Sequence, residues 1–218
     1  MCKYVIVDLE MCNVPSAERR EWLNCNNEII QIGAVLLDKE YKLSDTFMTY
    51  VQPEFGVLDS VITNLTGITN VDVFGAPRIA EALKKFIAWL PKDARLVSWS
   101  QNDEIQVRKE TDSKNIRIPG LKKLLNEWVD CQKTFGEIMC TSRNYGLVDA
   151  LNVSSIEYDE NIHDALVDAK NTALLFEKME REKDTEFKLS PYISIGKGES
   201  FCYTPFADLL KDFCLEGA

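Results

Sequence analysis

The 218-residue sequence contains only one histidine, His163, and lacks several motifs that would point to other functions. Its seven cysteines include no Cys-x-x-Cys pair, which argues against a disulfide framework or a zinc site and favours free thiols in a reducing compartment. The segment 196–198, Gly-Lys-Gly, does not have the spacing of a phosphate-binding Walker loop. No apolar run approaches the length of a membrane span, and the first residues do not have the pattern of a signal peptide. We therefore expect a cytoplasmic protein without a membrane partner.

The sequence also lacks an excess of positive charge, since its formal net charge is −10. Nucleic-acid-binding proteins normally contact phosphates with clustered Lys and Arg, so this balance argues against a long duplex footprint. Part of the negative charge would be neutralised locally if carboxylates held metal: two divalent cations would change −10 to −6. Any bound nucleic acid is therefore expected to contact the protein through a few nucleotides at a strand end.

The order of apolar patterns predicts an α/β fold. Residues 3–9, 28–37, 41–51, 95–100 and 128–132 have the pattern of strands, and residues 60–65, 77–90 and 164–180 that of helices. With 45% hydrophobic residues, the chain can bury one substantial core and needs no second domain. Three strands followed by alternating helices and strands predict a mixed five-stranded sheet flanked by helices on both faces.

Two carboxylates follow the first apolar run of the sequence, at Asp8 and Glu10. Residues i and i+2 of a strand project from the same face, so the two side chains would repel each other unless a divalent cation lay between them. Asp-x-Glu alone is a weak signal. The alternative is that the strand ends at Leu9 and both carboxylates are solvated at its edge.

The histidine stands five residues before Asp168. On a continuous helix this spacing would separate the side chains by roughly 140°, so both can reach one site only if His163 precedes the helix. Asp164 is a suitable N-cap, which would place His163 on the incoming loop. The alternative is a surface histidine and a solvated helical aspartate.

Several segments, in this order, resemble those of the DEDDh-type 3′–5′ exonucleases of the DnaQ-like, RNase H-like superfamily. They are Asp8-Leu9-Glu10 and residues 28–35, 65–69, 99–103, 146–151 and 163–168. Residues 66–69 and the long connection between the first two strands are most similar to exoribonucleases that trim the 3′ ends of histone messages and small RNAs. Relatives often have glycine where this chain has Ser100, a difference that removes no metal ligand.

The resemblance implies a two-metal mechanism. The implied ligands of two Mg²⁺ or Mn²⁺ ions are four carboxylates: Asp8, Glu10, Asp103 and Asp168. His163 would take a proton from the attacking water. The implied substrate is the 3′ end of a single-stranded nucleic acid, with RNA favoured, and the product is a nucleoside 5′-monophosphate.

Four further residues are expected near the substrate. Backbone groups of Met11 and Cys12 would contact the terminal ribose, and Met11 or Leu65 would wedge beside the last base. A contact to the 2′-OH would favour RNA. Trp99 either packs in the core beside the site or stacks on a base.

The resemblance covers about residues 3–180, so we divide the chain into an exonuclease domain, 1–183, and a C-terminal extension, 184–218. The extension is too apolar for a disordered segment, so we expect it to pack on the domain or on a partner subunit of a homodimer. Two other functions stay open: a DNA-directed 3′–5′ exonuclease of the proofreading or repair type, and a catalytically silent nucleic-acid-binding module.

Overall fold

A computed structural model describes residues 3–19, 23, 25–141, 144–183 and 187–189. Within these residues, five strands form one sheet in the order β3-β2-β1-β4-β5. Their bounds are β1 Lys3–Asn13, β2 Asn27–Leu37, β3 Leu43–Tyr50, β4 Ala94–Ser98 and β5 Val129–Asp130. Strands β1, β2 and β3 pair antiparallel, whereas β4 runs parallel to β1 and β5 parallel to β4. The predicted mixed five-stranded sheet is confirmed.

The described helices connect the strands or follow them. The α-helices are α1 Ser60–Thr66, α2 Asn70–Val73, α3 Ile79–Trp89, α4 Asn102–Ser113, α5 Leu121–Asn126, α6 Cys131–Ile138, α7 Leu147–Val153 and α8 Ala165–Glu182, and a short 3-10 helix spans Ser16–Glu18. In the described part of the chain, no helix is both long and apolar enough to cross a bilayer. The three helices expected from the periodicity are present, with bounds that differ by one to two residues from those predicted.

The two faces of the sheet bury different cores. Val5, Val7 and Leu9 of β1 lie in one cluster with residues of α3, α4 and α5, whereas Ile6 lies in a second cluster with residues of α6, α7 and α8. This alternation follows from the period of two in a strand. Helices therefore cover both faces, as expected, and Asp8 and Glu10 project to the same face as Ile6, toward α8.

Strand β1 is longer than the sequence pattern predicted. It continues past Leu9 to Asn13, because β2 keeps pairing with it beyond a register shift between Glu10 and Met11. Glu10 is consequently buried within the sheet, and the alternative that the strand ends at Leu9 is wrong. Strand β5 is shorter than expected, since α6 already begins at Cys131.

The expected packing of the extension falls mostly on residues outside those described. Within residues 187–189, the ring of Phe187 packs edge-on against Phe135, with 6.1 Å between centroids. This contact lies on the α6 side of the domain.

Candidate active site

Carboxylates from β1, α4 and α8 meet near the carboxyl ends of the parallel strands β1 and β4. Strand β4 pairs with β1 only as far as Ile6 and ends at Ser98, so the second half of β1 extends beyond it. Asp8 and Glu10 lie on this extension. Glu10 is buried and Asp8 is partly exposed, and their common face agrees with the prediction from the strand periodicity.

Asp103 lies in the first turn of α4, which follows β4 directly. Ser98, at the end of β4, lies close to the Asp103 carboxylate, and the Ser98 hydroxyl donates a hydrogen bond to the carbonyl of Ser100. The Ser98 oxygen in turn accepts a 2.9 Å hydrogen bond from Nε1 of Trp128. These contacts hold Ser98, the last residue of β4, beside Asp103.

His163 and Asp168 lie on either side of the start of α8. Asp164 caps the helix, since its Oδ1 accepts hydrogen bonds of 3.0 Å from the backbone N–H groups of Leu166 and Val167. His163 precedes the helix with a φ of 68°, a left-handed conformation uncommon for a residue other than glycine. The predicted N-cap and the loop position of the histidine are therefore confirmed.

Glu10, His163 and Asp168 converge on one point. Each offers a ligand atom, and these atoms lie within 4.8 Å of one another. Among the described residues, only one oxygen of Asp168 has a hydrogen-bond partner: its Oδ2 accepts a 2.9 Å hydrogen bond from the backbone N–H of His163, while its buried Oδ1 accepts none. A buried carboxylate oxygen without a partner is costly, and a bound cation would satisfy it.

The electrostatics of the cluster also suit a cation. Burial and repulsion by Asp103, Asp168 and other carboxylates raise the pKa of Asp8 well above its ordinary value. Burial and repulsion, chiefly by Asp168, raise the pKa of Glu10 to about 8. Burial raises the pKa of Asp103 to about 7, although its hydrogen bonds oppose the shift. Oxygen ligands that repel one another fit hard divalent ions such as Mg²⁺ or Mn²⁺.

The four residues expected near the substrate occupy different environments. Leu65 on α1 is half exposed, and α1 packs on β1. Met11 is partly buried, against the core cluster on the face of the sheet opposite Glu10. The side chain of Cys12 is buried in a small core cluster, so only its backbone is in question as a substrate contact. Contacts of these three residues with substrate stay predictions.

Trp99 belongs to the core. It is buried, its Nε1 donates a 3.2 Å hydrogen bond to the carbonyl of Tyr145, and its ring packs on Phe135 with centroids 5.8 Å apart. Little of the indole is left for a base to cover. The structure therefore favours the packing interpretation of Trp99 over the stacking one.

Sequence reasoning missed a buried ionic network. The Glu28 side chain is fully buried, forms an ion pair with Lys114 and accepts hydrogen bonds from backbone N–H groups of residues 54–56. Lys114 also pairs with Glu110 at 2.8 Å. The network joins β2, the end of α4 and the loop before α1, and its long-range contacts leave no local sequence signal.

Comparisons with known proteins agree with this geometry. Residues 5–176 match the family RNase_T, described as Exonuclease. ERI1 exoribonuclease 2 of Danio rerio is 32% identical over 203 residues, covering 82% of this chain and 36% of the relative. A PolC-type DNA polymerase III of Caldanaerobacter subterraneus subsp. tengcongensis is 33% identical over 177 residues, covering 81% of this chain and 11% of the polymerase. The chain thus spans about a third or less of the length of these two relatives.

A solved structure has the same fold. The nuclease domain of 3′hExo, a DEDDh family member bound to rAMP, superposes with a TM-score of 0.70 at 26% identity. The match covers 86% of this chain and 96% of that domain. The family that the ordered motifs predicted is confirmed.

Proposed function

The chain belongs to the RNase_T exonuclease family, and on that premise we propose that it is a metal-dependent 3′–5′ exonuclease acting on single-stranded RNA. The products are nucleoside 5′-monophosphates. The observation that carries the proposal is the convergence of Glu10, His163 and Asp168 within 4.8 Å, beside the further carboxylates of Asp8 and Asp103.

In this proposal the four carboxylates bind the metal ions and the histidine accepts a proton. Asp8, Glu10, Asp103 and Asp168 would hold two Mg²⁺ or Mn²⁺ ions. When bound, these ions stabilise negative charge on the attacking and leaving oxygens of the phosphodiester. His163 is close enough to be a ligand as well, but hard cations prefer oxygen. It lies on a partly exposed loop, where it can accept a proton from the attacking water and pass it to solvent.

The clustered carboxylates also restrict which strands the site can bind. Without a cation, they would repel the phosphates of any nucleic acid strand, and the 218-residue chain has a net charge of −10. Strand binding should therefore require divalent metal and involve few phosphates. Because few phosphates are contacted, strand binding should depend less steeply on salt concentration than the binding of a strand in an extended basic groove.

Two comparisons support RNA as the substrate: a relative named as an exoribonuclease and a superposable nuclease domain bound to rAMP. Because another relative is named as a PolC-type DNA polymerase, exonuclease activity on DNA is the second candidate function. A pocket that contacts the terminal 2′-OH would discriminate between them.

The test is an assay of 5′-labelled single-stranded RNA and a DNA of the same sequence, with Mg²⁺, Mn²⁺ or EDTA. We expect stepwise shortening of the RNA to 5′-monophosphates, slower shortening of the DNA, and no reaction in EDTA. A 3′-phosphate should block the reaction and a stable hairpin should slow it. Cleavage of a circular RNA would overturn the exonuclease proposal, and faster cleavage of DNA would replace RNA by DNA as the substrate. Metal-dependent strand binding without cleavage would assign the silent binding module instead.

We further propose the cytoplasm as the compartment, supported by the free thiols of the described cysteines Cys12, Cys25, Cys131 and Cys140. We keep residues 1–183 as the exonuclease domain and residues 184–218 as an extension that packs on it or on a second copy. Light scattering of the full chain distinguishes a monomer from the homodimer.

A further inference from the structure

The first turn of α8 rests on the sheet directly beside the carboxylates of β1. In the antiparallel pairing of β1 with β2, Asp8 lies opposite Gly33 and Glu10 lies opposite Gln31. A Cβ atom at Gly33 would lie 2.2 Å from the backbone carbon of Ala165, so only glycine allows the helix to approach this closely.

A single buried amide joins β2 to this turn. Gln31 is fully buried, its Nε2 donates a 3.0 Å hydrogen bond to Oδ2 of Asp164, and its Oε1 accepts a 2.9 Å hydrogen bond from the backbone N–H of Ala165. The amide needs both its donor and its acceptor for these two bonds. Because the other oxygen of Asp164 caps the helix, Gln31 fixes both the cap and the first residue of α8.

The groups that flank this turn are those assigned to the reaction. His163 directly precedes Asp164, and its backbone N–H is bonded to Asp168 one turn into the helix. A small rotation of the turn would therefore move the histidine and a metal ligand together, relative to Glu10 on the strand opposite Gln31.

We propose that Gln31 is a positioning residue of the active site, which acts through Asp164 to set His163 and Asp168 against Glu10. This inference rests on the proposed function. The amide also suits the electrostatics of its surroundings, because a neutral donor can meet the Asp164 carboxylate where a carboxylate at position 31 would repel it.

The experiment exchanges the donor and the acceptor of the hydrogen bond between Gln31 and Asp164. Gln31→Glu alone sets two carboxylates against each other, and Asp164→Asn alone sets two amides against each other. In the double variant, the new amide at 164 can donate to the new carboxylate at 31, which still accepts from Ala165. Removal of a residue that orients metal ligands typically costs about 10- to 100-fold in activity or metal affinity. We expect Gln31→Glu to lower kcat on RNA and Mn²⁺ affinity by about this factor with little change in KM, and the double variant to regain most of both losses.

Gln106 provides the matched control, because it is another buried glutamine whose Nε2 donates to a backbone carbonyl, that of Asn27, and to a carboxylate, that of Glu110. Gln106→Glu should lower the thermal midpoint while leaving kcat and Mn²⁺ affinity close to wild type. If Gln31→Glu does not fold, Gln31→Met replaces it with the same expectation, because it removes both hydrogen-bonding groups at similar length.

The outcomes separate this proposal from the proposed function. If Gln31→Glu lowers only the thermal midpoint, or the double variant recovers neither kcat nor Mn²⁺ affinity, Gln31 is structural and the inference is overturned. If the wild type degrades no RNA, the proposed function fails. Calorimetric Mn²⁺ titration of the same variants still decides whether Gln31 positions the metal ligands.

Discussion

The backbone N–H of His163 donates a 2.9 Å hydrogen bond to Oδ2 of Asp168. The bond holds the loop against the first turn of α8, and Oδ1 of the same carboxylate has no hydrogen-bond partner in the part of the chain that the structure describes. One side chain thereby orients the histidine and offers an oxygen to a cation. A residue pair five positions apart reaches one site only because Asp164 begins the helix between them.

The carboxylates should be required for turnover but not for folding. Asp8→Asn or Asp103→Asn keeps the side-chain volume and weakens metal ligation, so each should nearly abolish Mg²⁺-dependent cleavage. The circular-dichroism spectra of the metal-free variants should match that of the wild type. Their thermal midpoints should match or exceed the wild-type value, because repulsion within the cluster is relieved.

The control is Asp112→Asn, the same change at an exposed position on α4, which should leave the rate unchanged. Substantial Mg²⁺-dependent cleavage by both Asp8→Asn and Asp103→Asn would exclude these residues as ligands.

His163→Ala should separate proton transfer from metal binding. Loss of a general base lowers a rate by about 10²- to 10⁴-fold, while four carboxylates remain to hold the metal. Single-turnover cleavage measures the loss of rate, and calorimetric titration with Mn²⁺ measures whether metal binding is retained. Glu160→Ala, at an exposed position on the same loop, serves as the control. A large loss of Mn²⁺ affinity in His163→Ala would instead make the histidine a ligand.

The metal-free protein should lose stability as the pH rises. Burial raises the pKa of Glu10 from 4.5 to about 8 and that of Asp103 from 3.8 to about 7, so the folded state binds protons that the unfolded state has released. Their stabilising contribution is complete below the unfolded pKa values and is lost as the pH rises through about 7 and 8. Denaturant unfolding in EDTA from about pH 5 to about pH 9 measures this decline.

Two comparisons identify the source of the pH effect. Mn²⁺ should reduce the decline, because it binds the ionised carboxylates more tightly as protons leave. Glu10→Gln should make the decline less steep, since it removes one of the carboxyl groups whose pKa is raised in the folded state. A metal-free stability that increases over this range, or an unchanged slope in Glu10→Gln, would contradict the assignment.

The buried ionic network of Glu28, Glu110 and Lys114 should be essential for stability. Burial alone would lower the pKa of Lys114, but Glu110 and Glu28 raise that pKa above its ordinary value. Lys114→Met leaves both carboxylates buried without their cation, which should cost about 3–5 kcal/mol in the free energy of unfolding.

Lys123→Met is the matched control, because Lys123 is largely exposed and its ion pair with Glu127 is 4.0 Å long. It should cost no more than about 1 kcal/mol. Equal losses from the two lysine variants in urea unfolding would show that the Lys114 network contributes no more than a surface pair.

The sequence alone determined the family, the order of the main elements and the five candidate groups for the chemistry. Asp8 and Glu10 follow from a period of two along a strand, and Asp164 as an N-cap places His163 before α8. These are local patterns, which is why they can be read without a structure. The ordered motifs then agree with the family match over residues 5–176.

The tertiary structure decided how these groups are held. Gln31 and Gly33 lie within an apolar run, and their roles depend on the register of β2 against β1 and on contacts with α8 more than 130 positions away. The extension of β1 to Asn13 likewise depends on continued pairing beyond a register shift. Such relationships are set by the packing of distant segments, so no local pattern of residues contains them.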